Sequence, residues 1–455
     1  MWKKSFVVCL IIILMTTAVS STQARPAEGV NAVLLPGAEV WTALGAGVNA
    51  RVYNFDFDGS NNMIAVGIFA GIGGRIAKWN GTAWSAFSGQ DLDGGAVSEV
   101  AVASNGDIYV GGNFNSAGGV AVNKIAMWDE SESEWTALGT GVDNAVAAMV
   151  LDGSGNLYVG GLFTTAGGVT VNRVAIWNGA TWSALIGPSG TGVSAGVYGL
   201  DFDSGGNLYV GGSFAQAGGV LVDGAAMWNG SSWSALTGDD AGYGVSGYVN
   251  DLVVDDNDDV YFGGTLTDGG GVTVSKIAKW DSSETEWEAL GAGTLNGEVY
   301  DLDVDSSENL FAGGVFTTAV GLTVNKIAKW DGSNWTALTG PAGTGLGDNL
   351  DGLGLDDNDN LYAGGYFVTA GGTTANYVAK WSYVNYPDID KSFNGTGTSL
   401  APIAGHPTIL SGGTSTLTIT LSNPNAANVL ESLSFTDSLP SGLQIAPTPN
   451  IGGTC

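Results

Sequence analysis

The sequence predicts an all-β fold, a closed seven-bladed β-propeller of four-stranded sheets spanning 38–381, and three observations carry the prediction. An A-x-W element recurs at Trp79, Trp128, Trp177, Trp228, Trp280, Trp330 and Trp381, with successive spacings of 49, 49, 51, 52, 50 and 51 residues. A period near fifty that holds several strand-like runs and Gly-rich turns marks a radial array of small sheets. A second element, W-[ST]-A-[LF], follows at Trp84, Trp135, Trp182, Trp233 and Trp335, with WEAL at Trp287. It is missing after Trp381 and instead precedes the first copy, as WTALG at Trp41. A ring repairs both ends at once, because the Trp41 strand completes the sheet that Trp381 leaves one strand short. An open array would leave two bare edges, which invite aggregation.

Within a copy, the first strand alternates, as Val299, Asp301 and Asp303 against Tyr300, Leu302 and Val304, the period of a sheet with two unlike faces. Polar turns follow, reading DGSGN, DSGGN, DDNDD, DSSEN and DDNDN, residues that bond their own backbone and tolerate positive φ. The second strand is LYVGG or a relative. Its paired glycines, such as Gly160 and Gly161, suit a place where neighbouring backbones approach too closely for a side chain. A loop such as TTAGGVTVN leads to the third strand, [IV]-A-x-W, and a hairpin leads to the fourth. Trp177 and Trp182 enclose NGAT, whereas Trp128 and Trp135 enclose DESESE, two residues longer. Only offsets of five and seven occur, and an insertion of two keeps both tryptophans on their faces where an insertion of one would not.

The D-x-x-G-N-L-Y-V-G-G strand and the A-x-W-N-G-x-x-W hairpin resemble bacterial seven-bladed propeller repeats and, more distantly, Kelch and galactose oxidase-type blades. That resemblance covers about three quarters of the chain and speaks to fold rather than activity. After Trp381 the character shifts. Residues 382–388 read as a linker, and 389–455 carry strand alternation broken by turns. LSNPN near Leu421 and SFTDSLPSGL from Ser434 resemble the Ig-like repeat in stalks of bacterial surface proteins, which implies a partial Ig-like β-sandwich. The segment is shorter than the roughly one hundred residues of such a sandwich. The chain is therefore expected to be a fragment or to end within the domain, at Cys455.

Lys3 and Lys4 precede an apolar run over 6–15, and Thr22, Gln23 and Ala24 offer a cleavage site, so 1–24 reads as a secretory signal peptide and 25–37 as a leader. The run is too short for a membrane span. Cleavage removes Cys9 and leaves Cys455 alone, without an intrachain disulfide. The location expected is secreted or cell-surface. The net charge of −30 repels phosphate, which argues against nucleic acid and direct binding to anionic membranes. Sequons at Asn80, Asn229, Asn334 and Asn394 read as hairpin turns in a bacterial protein.

The residues argue against most catalysis. Copper radical oxidases of the galactose oxidase type need histidine ligands and a cysteine crosslinked to tyrosine, and the one histidine, His406, lies outside the propeller. Sialidases need an arginine cluster. Here Arg75 and Arg173 occupy a repeat position filled elsewhere by Lys124, Lys276 and Lys326. No catalytic residue and no cofactor is assigned. The calcium candidates are Asp255, Asn257 and Asp259, with Asp356, Asn358 and Asn360, because these turns place oxygen ligands at alternate positions. They lack the glycine and the distant glutamate of a calcium loop, and ordinary hairpin turns explain them equally well.

Tryptophans inside strands read as blade packing, and binding residues are sought where copies differ, at 238–249 and 340–350. The reading is a non-enzymatic, monomeric propeller head on an Ig-like stalk, for adhesion or for binding an extracellular glycan or protein. The alternative is a carbohydrate-active enzyme using paired carboxylates, for which a cleft with converging, perturbed acids would speak.

Overall fold

The computed structural model describes residues 39–383, apart from 73, 88–91, 188–189, 239–241, 292–294 and 341, together with 388–395 and 415–422. The signal and leader expected over 1–37, and most of the expected Ig-like segment, lie outside the described residues. Glu39–Tyr383 forms one compact unit. In it the strand-forming runs build seven four-stranded antiparallel sheets among the described residues. Their first strands are Val52–Phe57, Val97–Val102, Val146–Leu151, Val197–Phe202, Val249–Val254, Val299–Val304 and Leu350–Leu355. We number the blades 1 to 7 in that order. Each first strand packs against those of the blades before and after, and Val52–Phe57 packs on Leu350–Leu355, so the array closes into a β-propeller.

Closure is completed by a strand from the other end of the domain. Glu39–Ala43 pairs antiparallel with Val378–Tyr383 and sets Trp41 opposite Trp381. This last strand runs two residues past the boundary expected at 381. The other tryptophan pairs are also directly opposed: Trp79 with Trp84, Trp128 with Trp135, Trp177 with Trp182, Trp228 with Trp233, Trp280 with Trp287 and Trp330 with Trp335. The longer hairpins of blades 2 and 5 thus keep the same register as the shorter ones, as an even insertion requires. In the short hairpins the Asn or Asp that opens the turn accepts its main-chain donors. Asn80 Oδ1, for instance, bonds the N–H groups of Thr82 and Ala83 at 3.0 and 2.8 Å.

The apolar core lies between blades. One cluster joins Leu157, Val159, Phe163, Trp177 and Trp182 of blade 3 to Ala101, Tyr109 and Ile125 of blade 2, and the pattern repeats round the ring. Trp182 also donates its indole N–H to the Leu138 carbonyl of blade 2 at 2.8 Å. Trp84, Trp287, Trp335 and Trp41 reach the preceding blade in the same way.

Two local features depart from the sequence expectation. The loop after the second strand is itself a small hairpin, as Thr165–Ala166 against Val169–Thr170. The first strand does not alternate strictly. In blade 6 the register shifts between Val299 and Asp301, and Val299 and Leu302, three residues apart, are both buried. A β-bulge inserts one extra residue here, and it recurs in all seven first strands. Beyond the propeller, Asp388–Gly395 pairs antiparallel with Ser415–Ser422, with Ile389 opposite Leu421.

Candidate functional site

The bulged first strands line the axis of the ring. Tyr53, Asn54, Glu99, Ala148, Tyr198, Gly199, Asn250, Asp251, Tyr300, Asp301 and Asp351 border one cavity of about 250 Å³, to which all seven first strands contribute. Its acids lie on blades 2, 5, 6 and 7, with Asn54, Ala148 and Gly199 on the wall that blades 1, 3 and 4 supply. The channel is therefore chemically lopsided in spite of the repeat.

Two of these four carboxylates bind main chain across blade boundaries. Asp251 Oδ2 accepts the Leu302 N–H at 2.9 Å, and Asp301 accepts the Leu353 N–H. Deeper along the strands, Asp56 Oδ2 accepts the Val102 N–H at 2.7 Å and Asp201 Oδ2 accepts the Val254 N–H at 2.8 Å. Glu99 accepts the Asn54 side-chain amide at 2.9 Å. At the junction of first and last blades, Arg51 forms a bidentate ion pair with Asp351 and stacks over the Tyr53 ring, 4.8 Å from its centroid.

Burial dominates the proton affinities. It pushes Asp201 and Asp251 up to about 6 and Asp303 to about 7 against the pull of their main-chain donors. Glu99 is raised by burial and by the Asp251 charge, well above the usual carboxylate range. Asp301 is also raised well above that range, by burial, by the Asp251 charge and by its hydrogen bond to Asp251, in which Asp301 holds the proton. A carboxylic acid beside a carboxylate is the outcome when two acids share a site that cannot hold two charges.

The calcium candidates lie in the turns between first and second strands. Asp255 Oδ1 accepts the N–H groups of Asn257 and Asp259, both at 2.9 Å. Asp259 itself pairs with Lys279 at 2.7 Å. In blade 7, Asp356 Oδ1 accepts the N–H groups of Asn358 and Asn360 at 2.9 and 3.0 Å, and its Oδ2 accepts the Tyr362 hydroxyl at 3.1 Å. The same device occurs at Asp58, Asp152, Asp203 and Asp305, each of which accepts the N–H four residues on. These oxygens are thus turned to their own loops, and among the described residues no group of three His, Cys, Asp or Glu side chains is placed to hold a metal ion.

The first strands were read from the sequence as plain alternation, so the channel acids were missed as a group. The available signal was an acid in the second or third position of an otherwise apolar strand, in VSEVAV, VNDLVV, VYDLDV and LDGLGL. Of the segments singled out for their length, 340–350 contributes Gly343–Thr344 to a hairpin with Thr339–Gly340. Within 238–249, Val245–Ser246 pairs with Asp268–Gly269. The corresponding segment of blade 3, Ile186–Gly187 against Gly190–Thr191, borders a second cavity.

Comparison with known proteins agrees with this architecture. The chain is similar to the extracellular domain of BT4673 from B. thetaiotaomicron, at 14% identity over 76% of this chain and 40% of that one, with a TM-score of 0.51. A second structure of the BT4673 extracellular domain matches at 12% identity and a TM-score of 0.51, over 78% of this chain and 40% of that one. PorZ, a bacterial surface component of the type-IX secretion system of Porphyromonas gingivalis, matches at 16% identity, 73% and 46% coverage and a TM-score of 0.47. The chain spans about two fifths of the length of the BT4673 structures, and at these identities the likeness is one of fold. No curated protein matches the sequence. The family model described as Domain of unknown function (DUF7933) matches residues 403–455. The model described as Rax2 C-terminal beta propeller domain matches 76–193, 197–345 and 243–405. Those matches together cover well over half of the sequence, and the chain belongs to the Rax2 C-terminal beta propeller domain family.

Proposed function

We propose that the chain is the extracellular part of a bacterial surface protein, a seven-bladed propeller head on an Ig-like stalk, that binds its ligand without turning it over. The observation that carries the reading is that acids a hydrolase would use are held by main-chain donors of the next blade, as Asp251 by Leu302 and Asp301 by Leu353. Such acids join blades. The apolar run after Lys3 and Lys4, read as a signal peptide, supports export. The similar BT4673 domain is itself extracellular, which supports the same location. The test is a glycan-array screen of the purified chain, in calcium and again with chelator. Specific binding that persists in chelator supports a calcium-independent lectin-like head. Silence in both conditions directs the reading to a protein ligand.

One observation favours a second reading, a carbohydrate-active enzyme. Asp301 and Asp251 form a proton-sharing pair on an open cavity, and raised acids beside a cleft are what acid catalysis needs. Turnover of polysaccharide by the wild type that Asp251→Asn abolishes would replace the binding reading.

A further inference from the structure

Apart from Arg51, which pairs with Asp351 in the channel, the basic residues of the propeller divide into two sets. Lys78, Lys279, Lys329 and Lys380 lie within 4.0 Å of acids in the turns between first and second strands, at Asp58, Asp259, Asp305 and Asp356. Arg75, Lys124, Arg173, Lys276 and Lys326 immediately precede third strands, at the opposite end of the ring. Among the described residues none of these five pairs with a carboxylate. They donate to neutral oxygens instead, Arg173 to the Leu162 carbonyl, Lys326 to the Val315 carbonyl at 2.9 Å and Lys124 to the Asn115 side chain at 2.8 Å. In a chain with 44 acids and 14 lysines and arginines, five cations at one repeat position that meet neutral oxygens, and no carboxylate among the described residues, set this end of the ring apart from the other.

One of the five, Arg173, stands beside a cleft. Arg173 lines a cavity of about 340 Å³ between blades 3 and 4, with Thr164, Asn172, Thr191, Ser194 and Gln216. Glycines 190, 192, 218 and 219 complete the wall and expose main chain to the cavity. The volume is at the small end of the range for ligand pockets, roughly 300–1,000 Å³. The lining is hydroxyl, amide and peptide, which suits a hydroxyl-rich ligand better than an apolar one.

The same loop frame recurs three blades on. GPSGTG of blade 3 is matched by GPAGTG of blade 6, and three hydrogen bonds of the frame are shared, as they also are with blade 2. Asn172 Nδ2 donates to the Thr191 carbonyl at 3.0 Å, and Asn325 Nδ2 to the Thr344 carbonyl at 3.0 Å. Val193 N–H bonds Asn172 O and Leu346 N–H bonds Asn325 O, both at 2.9 Å. Gly218 N–H bonds Gly192 O and Gly371 N–H bonds Gly345 O, both at 2.8 Å. Lys326 takes the place of Arg173.

We propose that the cleft beside Arg173 is a binding subsite for an acidic saccharide, whose carboxylate or sulfate is taken by the Arg173 guanidinium. The inference rests on the binding reading above and gives it a site and a ligand class. A guanidinium whose donors are not engaged by an acid matches the two oxygens of such a group. The overall negative charge is screened within about 8 Å at physiological salt, so the local cation governs a short oligosaccharide while a long polyanion is repelled.

The test is calorimetric titration of the full chain with trigalacturonate, a sulfated galactotriose and neutral galactotriose, at physiological salt. One site is expected, with one or both acidic trimers bound at least about tenfold more tightly than the neutral one, and the two acidic arms separate carboxylate from sulfate. Arg173→Gln should weaken binding about tenfold, Lys326→Gln should leave it unchanged, and Arg173→Lys should retain part of it because the charge is kept. Unchanged melting temperatures keep a binding loss separate from unfolding. Equal affinity for neutral and acidic trimers, or an Arg173→Gln variant that binds as the wild type does, overturns the inference. Neutral glycans alone binding on the array overturns it and leaves the binding reading standing; no glycan binding at all overturns both this inference and the lectin form of that reading.

Discussion

Single residues decide how closely the blades approach. The second glycine of each pair ending the second strand faces main chain of its own first strand, and a Cβ on Gly161 would lie 2.3 Å from the Ala145 carbonyl oxygen. A backbone oxygen cannot swing away, and all seven copies keep glycine at this place, from Gly67 to Gly365. Gly161→Ala is therefore expected to destabilise by about 1–3 kcal/mol, read as a lowered denaturation midpoint. The first glycine of the Ala-Gly-Gly hairpin has φ near +55°, as +57° at Gly167, and packs on a fourth-strand tryptophan, Trp182. Blade 6 has Val320 in that place, at φ +50° and 52% exposed. A β-branched residue there pays about 1–2 kcal/mol, so Val320→Gly should raise the melting temperature, a gain that calorimetry would measure. The glycine pairs were legible from sequence as points of close approach. What each one faces was not, because the partner belongs to another strand or another blade.

At the scale of elements, the closing strand is the least replaceable part. Trp41 is 4% exposed, opposes Trp381 and donates to the Leu338 carbonyl of blade 6. Trp41→Ala is expected to cost about 3–5 kcal/mol and to leave Val378–Tyr383 as an edge that recruits other chains. Light scattering on heating should show earlier aggregation than in the wild type. A melting temperature equal to that of the wild type would mean the ring does not depend on this strand. The pairing of Trp41 with Trp381 was readable from a spare element at one end and a missing one at the other. The bulge in each first strand was not, since Val299, Tyr300 and Asp301 fit plain alternation equally well and only the paired register reveals the extra residue. That bulge brings Asp251, Asp301 and Glu99 to the channel.

The whole molecule couples these acids to pH. Asp201 and Asp251 at about 6 and Asp303 at about 7 lie above the unfolded value of about 3.9. Their contribution to stability is therefore full below pH about 4 and is lost as pH rises through 6 and 7. Asp58 runs the other way. Burial raises it, but Lys78 and Asn62 outweigh burial and hold it at about 2, so its contribution is present above pH about 4 and is lost as pH falls towards 2. The melting temperature should peak between pH 4 and 6 and fall by pH 8, and Asp251→Asn with Asp303→Asn should flatten the alkaline side. A melting temperature that climbs steadily from pH 5 to pH 8 would contradict the placement of these acids.

The sequence by itself determined the number of repeats, the strand order within each and the closure of the ring, because those depend on local periodicity and on matching ends. The tertiary structure decided which acids meet on the axis, which main-chain donors they bind and where the loop face opens into clefts. Those outcomes depend on strands from different blades arriving at one place. No spacing along the chain encodes the distance between Asp251 and Asp301 or the opening beside Arg173; that geometry exists only once the blades have packed into a ring.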